Sequence, residues 1–89
     1  MKIHIDEDNM TLTVTGHAEY AEYGKDIVCA GVSALVQTLA LYATEHGGTA
    51  EMRSGYAKID ASNGAKDVFL AICAGLRELA KAYPSVWVT

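Results

Sequence analysis

Five residues of this 89-residue chain suit nucleophilic or proton-transfer chemistry: Cys29, Cys73, His4, His17 and His46. A cysteine acts as a nucleophile through its thiolate, which the unpaired N–H groups and the dipole of a helix N-terminus stabilise. Cys29 stands three residues after Asp26, a good N-cap, and so falls in the first turn of a predicted helix. His17 lies twelve positions earlier, at the end of a predicted strand, and the intervening loop can bring its imidazole to the thiol. Such a pair attacks a peptide carbonyl through sulfur and protonates the leaving amine, while first-turn N–H groups hold the oxyanion. The bland alternatives are a structural cysteine and a satisfied strand-end histidine. Cys73 sits mid-helix on an apolar stripe, where burial raises a thiol's pKa, and reads as a core residue. His4 and His46 have no partner that spacing identifies. With no His/Cys cluster at ligand spacing, neither a metal nor a cofactor is expected.

The elements that position these residues follow from periodicity. Residues 2–6 and 10–15 read as strands of a hairpin, with Ile3, Ile5, Leu12 and Val14 set among β-favouring threonines around the polar turn Asp6-Glu7-Asp8-Asn9. From Gly16 to Lys25 the strand period is lost, and a loop of about nine residues, longer than the usual ~4–6, makes a candidate functional segment. Ile27, Val28, Val32, Leu35, Val36, Leu39 and Ala43 recur at helical spacing, predicting a helix over 26–46 that Gly47-Gly48 ends. A second hairpin is predicted over 49–54 and 56–62, about Ser54-Gly55, and closes on the turn signal Asn63-Gly64. A second helix begins near Ala65, carries the stripe Val68, Phe69, Ile72, Cys73, Leu76, Leu79, Ala80 and Tyr83, and stops at Pro84. Val86-Trp87-Val88 forms a last short strand. The order ββαββαβ predicts an α+β fold, one mixed sheet with two helices packed against it.

Length and composition bound the function. A chain of this length supports one hydrophobic core, and so a single domain over residues 1–89 is expected. A core this small gains from burying more apolar surface in a homodimer. The net charge of −4, with seven Lys and Arg scattered along the chain, disfavours direct nucleic-acid binding and suits a basic partner. Met1-Lys2-Ile3-His4-Ile5-Asp6 lacks the apolar core of a signal peptide, and the nearly apolar run from Ile27 to Val36 is far short of the ~20 residues of a membrane span. A cytoplasmic protein without a membrane segment is expected, and Cys29 and Cys73 read as free thiols.

Gly16-His17-Ala18, a loop ending at Gly24, and Asp26-Ile27-Val28-Cys29-Ala30-Gly31-Val32-Ser33-Ala34-Leu35 resemble the signature of the ribosomal-processing cysteine proteases known as Prp. The resemblance implies a homodimeric endopeptidase that removes the N-terminal extension of a large-subunit ribosomal protein in bacteria, or, in phage relatives, processes capsid and scaffold proteins. By matching position it gives Cys29 the role of nucleophile, His17 that of catalytic histidine, and Asp26 and Ser33 supporting roles. The chain departs from the family in its loop, where members often carry another glycine and this sequence has Glu19-Tyr20-Ala21-Glu22-Tyr23. That departure bears on loop mobility and substrate preference.

Several residues carry two readings. Asp26 serves as an N-cap with or without catalysis, worth about 0.5–2 kcal/mol. Ser33 bonds either to the thiol or back to a helix carbonyl. Gly31 answers either to the close approach of loop or substrate or to tight packing, and Ala30 and Gly31 leave room for a peptide backbone. Tyr20 and Tyr23 either close over the site or rest on the surface. With Gly16, Ala18 and Gly24 these residues make up the expected substrate-binding segment. The non-enzymatic alternative is a peptide-binding module for ribosome or capsid assembly that uses the same groove. A thiol redox sensor ranks below both, because no resolving cysteine lies near Cys29 in sequence.

Overall fold

Ile3, Ile5, Leu12 and Val14 alternate with polar residues, so each strand of the first hairpin buries one face and wets the other. The computed structural model describes residues 1–16, 27–62 and 66–89. In it, β1 (Lys2–Asp6) pairs antiparallel with β2 (Thr11–Thr15), setting Ile3 opposite Val14 and Ile5 opposite Leu12. The turn between them is held by the Asp6 carboxylate, which accepts from the Asn9 side-chain amide at 2.8 Å and the Asn9 backbone N–H at 3.1 Å. Those bonds draw the Asp6 pKa below the ordinary aspartate value. Met10 adopts a left-handed φ of 56°, so β2 starts at Thr11, one residue later than the residue pattern predicts.

The remaining elements follow the predicted order: α1 (Ile27–Glu45), β3 (Thr49–Arg53), β4 (Tyr56–Asp60), α2 (Lys66–Ala82) and β5 (Trp87–Val88). The strands form one mixed sheet in the order β3-β4-β2-β1-β5, antiparallel except where β5 runs parallel to β1. Ile3, Ile5, Leu12, Val14, Ala57 and Ile59 bury a single face of the sheet beneath residues of both helices, among them Val28, Leu39, Phe69 and Leu76. The α+β architecture of one sheet and two helices is the one the sequence predicts.

No charged residue occurs in α1 before Glu45, and by length and composition this helix qualifies as a membrane span. The apolar stretch is therefore longer than the run from Ile27 to Val36 suggested. Val28, Val32, Val36, Leu39, Ala40 and Ala43 are nevertheless buried in the core, where they seat α1 on the sheet. Against α2 the fit is reciprocal. Gly31 receives the Leu79 side chain and Gly75 receives Leu35, an antiparallel arrangement in which each helix offers one notch and one knob.

The C-terminus of α1 is closed by a Schellman motif, with Gly47 at a φ of 86° and the Gly48 N–H donating to the Ala43 carbonyl at 2.7 Å. A Cβ at Gly48 would collide with the Asp60 carbonyl oxygen and lie 2.9 Å from that of Ala43. Gly48→Ala is expected to destabilise the fold by about 1–3 kcal/mol, the usual cost of overpacking. Gly31→Ala places its Cβ at ordinary contact distance, 3.5 and 3.7 Å from Leu79, and should gain about 0.5–1 kcal/mol from helix propensity. Urea denaturation midpoints of the two variants, moving in opposite directions, check both.

Candidate active site

Cys29 is half-buried in the first turn of α1, two residues beyond the start of the described helix. Residues four apart on a helix share a flank, and Cys29, Ser33 and Gln37 together form one wall of a cleft of about 230 Å³. The β3–β4 hairpin forms the opposite wall through Met52, Arg53, Ser54, Gly55 and Tyr56. Met1 and the end of β2, with Val14 and Gly16, complete it. Its floor is apolar, with Val32, Val36 and Ala57 beneath the thiol wall.

Gly16 is where the sheet ends and the segment leading to α1 begins. Its φ of 81° is left-handed, and its N–H donates to the Gly55 carbonyl at 2.9 Å, tying β2 to the hairpin across the cleft. Arg53 lies over the Tyr56 ring, 4.0 Å from its centroid, and pairs with Glu51 at 2.6 Å. Both ion-pair partners are more than half exposed, so the bond orients the guanidinium and contributes little stability.

Of the residues singled out in the sequence, Gly16, Cys29 and Ser33 meet at the cleft. Ala30 and Gly31 do not. Successive helix residues turn by about 100°, which carries Ala30 to the solvent face and Gly31 to α2. Packing against Leu79 accounts for Gly31 on the side that faces α2. His17, Ala18, Tyr20, Tyr23, Gly24 and Asp26 lie outside the described residues. Sequence reasoning missed Gln37, which a second i+4 step from Ser33 would have found, and the hairpin residues 52–56. Nothing local to those residues signals that they face Cys29, because the sheet order makes the encounter.

Cys73 differs from Cys29 in its access to solvent. It is fully buried in α2, and burial pushes its thiol pKa up, with Arg77 opposing and Glu7 adding to the rise. A wider, more open depression of about 410 Å³ lies beside His4, Asp6, Glu7 and Arg77, and no cysteine lines it. In the native protein an alkylating reagent should therefore modify Cys29 and leave Cys73 untouched until the chain unfolds. Mass spectrometry of wild type and Cys29→Ala, with and without denaturant, distinguishes the two thiols.

Residues 1–87 match the family model for the cysteine protease Prp. Over 31 residues the chain is 52% identical to the ribosomal processing cysteine protease Prp of Bacillus subtilis, a match covering 35% of this chain and 28% of that relative's length. A crystal structure from Streptococcus mutans is 31% identical, with a TM-score of 0.66 over 99% of this chain and 87% of that one. The fold is shared with the ribosomal processing protease Prp of S. aureus in complex with a covalently linked product peptide, at a TM-score of 0.79 and 21% identity over 99% and 94% of the two chains. The same S. aureus protease in complex with a substrate peptide gives a TM-score of 0.72 at 20% identity, with the same coverage.

Proposed function

Because the chain belongs to the Prp cysteine protease family, we propose that it is a cysteine endopeptidase with Cys29 as nucleophile and His17 as general acid and base, and that it removes the N-terminal extension of a large-subunit ribosomal protein. The observation that carries this reading is the position of Cys29, half-buried on the wall of a cleft and in the first turn of a helix. A first-turn position is where a helix presents its N-terminal N–H groups, the donors an oxyanion formed at the thiol would need. The Bacillus subtilis relative is a ribosomal processing protease, which favours a ribosomal protein over a phage capsid protein as substrate.

In this mechanism the Cys29 thiolate attacks the scissile carbonyl carbon, forming a C–S bond, and first-turn N–H groups hold the resulting oxyanion. His17, protonated, gives its proton to the amide nitrogen as the C–N bond breaks, leaving an acyl-enzyme thioester and a free amine. His17 then takes a proton from water as that water attacks the thioester. Collapse of the second intermediate breaks the C–S bond, releases the carboxylic acid and restores the Cys29 thiolate beside protonated His17. In this reading Asp26 takes its supporting role as the N-cap expected from the sequence, and Ser33 supports the wall that carries Cys29. The enzyme acts as a homodimer in this reading, and the charge-free outer surface of α1, where Ile27 and Leu41 are each 63% exposed, is apolar area a second copy would cover.

Incubation with the extended ribosomal protein should yield one N-terminal cut by wild type. Cys29→Ala should abolish cleavage, and His17→Ala should slow it by roughly 10²–10⁴. If Cys29→Ala cuts as wild type does, the proposal is wrong. Binding of the extended protein by wild type without cleavage would indicate the peptide-binding module instead.

A further inference from the structure

The sheet has two edges, and they differ. At one, β5 is two residues long. At the other, β3 is five residues long, keeps an unbroken register with β4, and pairs with no other strand among the described residues. Long free edges are usually blunted by proline, a bulge or a guarding charge. β3 contains no proline, and its Glu51 and Arg53 side chains are engaged with each other on the open face of the sheet.

The direction of its backbone groups follows from hydrogen-bond parity. The Gly16 N–H donates to Gly55 and the Ala61 N–H to Met10, so the odd-numbered positions 55–61 of the β4 region bond toward β2. The even-numbered Tyr56, Lys58 and Asp60 therefore bond toward Arg53, Glu51 and Thr49. Ala50 and Met52 are left with their N–H and C=O groups aimed away from the sheet. Their side chains share the face of Ala57 and Ile59, which are buried, yet both are exposed.

This open edge is continuous with the cleft. Met52 and Arg53 belong to both, and β3 runs beside α1, whose flank of Ser33 and Gln37 leads to Cys29. Pockets that enclose a small ligand measure roughly 300–1,000 Å³. At about 230 Å³ the cleft is too small to enclose an extended peptide, so most of such a substrate must lie outside it. Building on the protease reading above, we infer that the substrate binds as an added strand on β3. Ala50 and Met52 supply its main-chain hydrogen bonds, and the apolar ledge they form beside α1 takes alternate side chains. The pairing holds the peptide extended and feeds its scissile bond to Cys29.

The test is a set of synthetic peptides spanning the extended N-terminus of the ribosomal protein, each N-methylated at one backbone position, cut by the wild-type protein. Removing one paired N–H should lower kcat/KM on the order of tenfold. The losses should fall on every second residue of the segment lying on β3, with intervening positions unaffected. Ala50→Pro removes an outward N–H while sparing the β3–β4 ladder, and should raise KM several-fold with Cys29 alkylation unchanged. Losses confined to the residues flanking the cut bond would overturn strand addition and leave the protease reading standing. So would an Ala50→Pro variant that loses a dimer but keeps its KM, since the edge would then belong to a second copy. An unmodified peptide that wild type leaves uncut overturns both readings. Should Ala50→Pro fail to fold, the methylation series on wild type decides the matter by itself.

Discussion

The rotation of α1 about its own axis governs what the cleft contains. A helix advances about 100° per residue, so a one-residue slip would turn Cys29 out of the cleft wall and bring a neighbour into its place. Two independent contacts prevent the slip. Val28, Val32, Val36 and Ala43 are buried on the sheet side, and Gly31 with Leu35 locks against Leu79 and Gly75 on α2. The flank left between sheet and solvent is the row Cys29, Ser33, Gln37, and that row lines the cleft. Its sulfur is thus placed by side chains that take no part in chemistry.

The same dependence explains what could be read from the sequence. Strand alternation and helical spacing are local properties, and they located all seven elements to within about two residues, as such boundaries generally allow. The row containing Cys29 and Ser33 was legible for the same reason. The far wall was not. Residues 52–56 face Cys29 because β4 pairs with β2 rather than with a strand on the other side, and no residue in the hairpin encodes that choice alone. Gly31 was ambiguous in sequence because a helical glycine signals close approach without naming the partner, and only α2 packing identifies it as Leu79.

Hydrogen-bond parity extends across the whole sheet, linking its two edges. Odd-numbered residues of the β4 region bond to β2, so the odd residues of β2 bond to β1, and those of β1 bond to β5, as Ile5 to Thr89 and Thr89 to Ile3 show. The parallel β5 therefore uses up outward groups of β1 that would otherwise form a second long edge. At the opposite end no strand among the described residues does the same for Ala50 and Met52. Capping one edge and leaving the other open gives the sheet a direction, and the open side is the one the cleft adjoins.

The two cysteines show how position separates chemistry from packing within one chain. Both lie on helices and both are free thiols, but Cys73 occupies the middle of an apolar stripe, where desolvation penalises its thiolate. Cys29 occupies the first turn of the described helix, half-buried, and solvent reaches it through the cleft. An interior thiol contributes as a small hydrophobe and stays inert. Ser33 on α1 and Ser54 on the hairpin stand in the walls beside Cys29 together with the longer Gln37, Met52, Arg53 and Tyr56, and the cleft between those walls leaves the sulfur half-exposed.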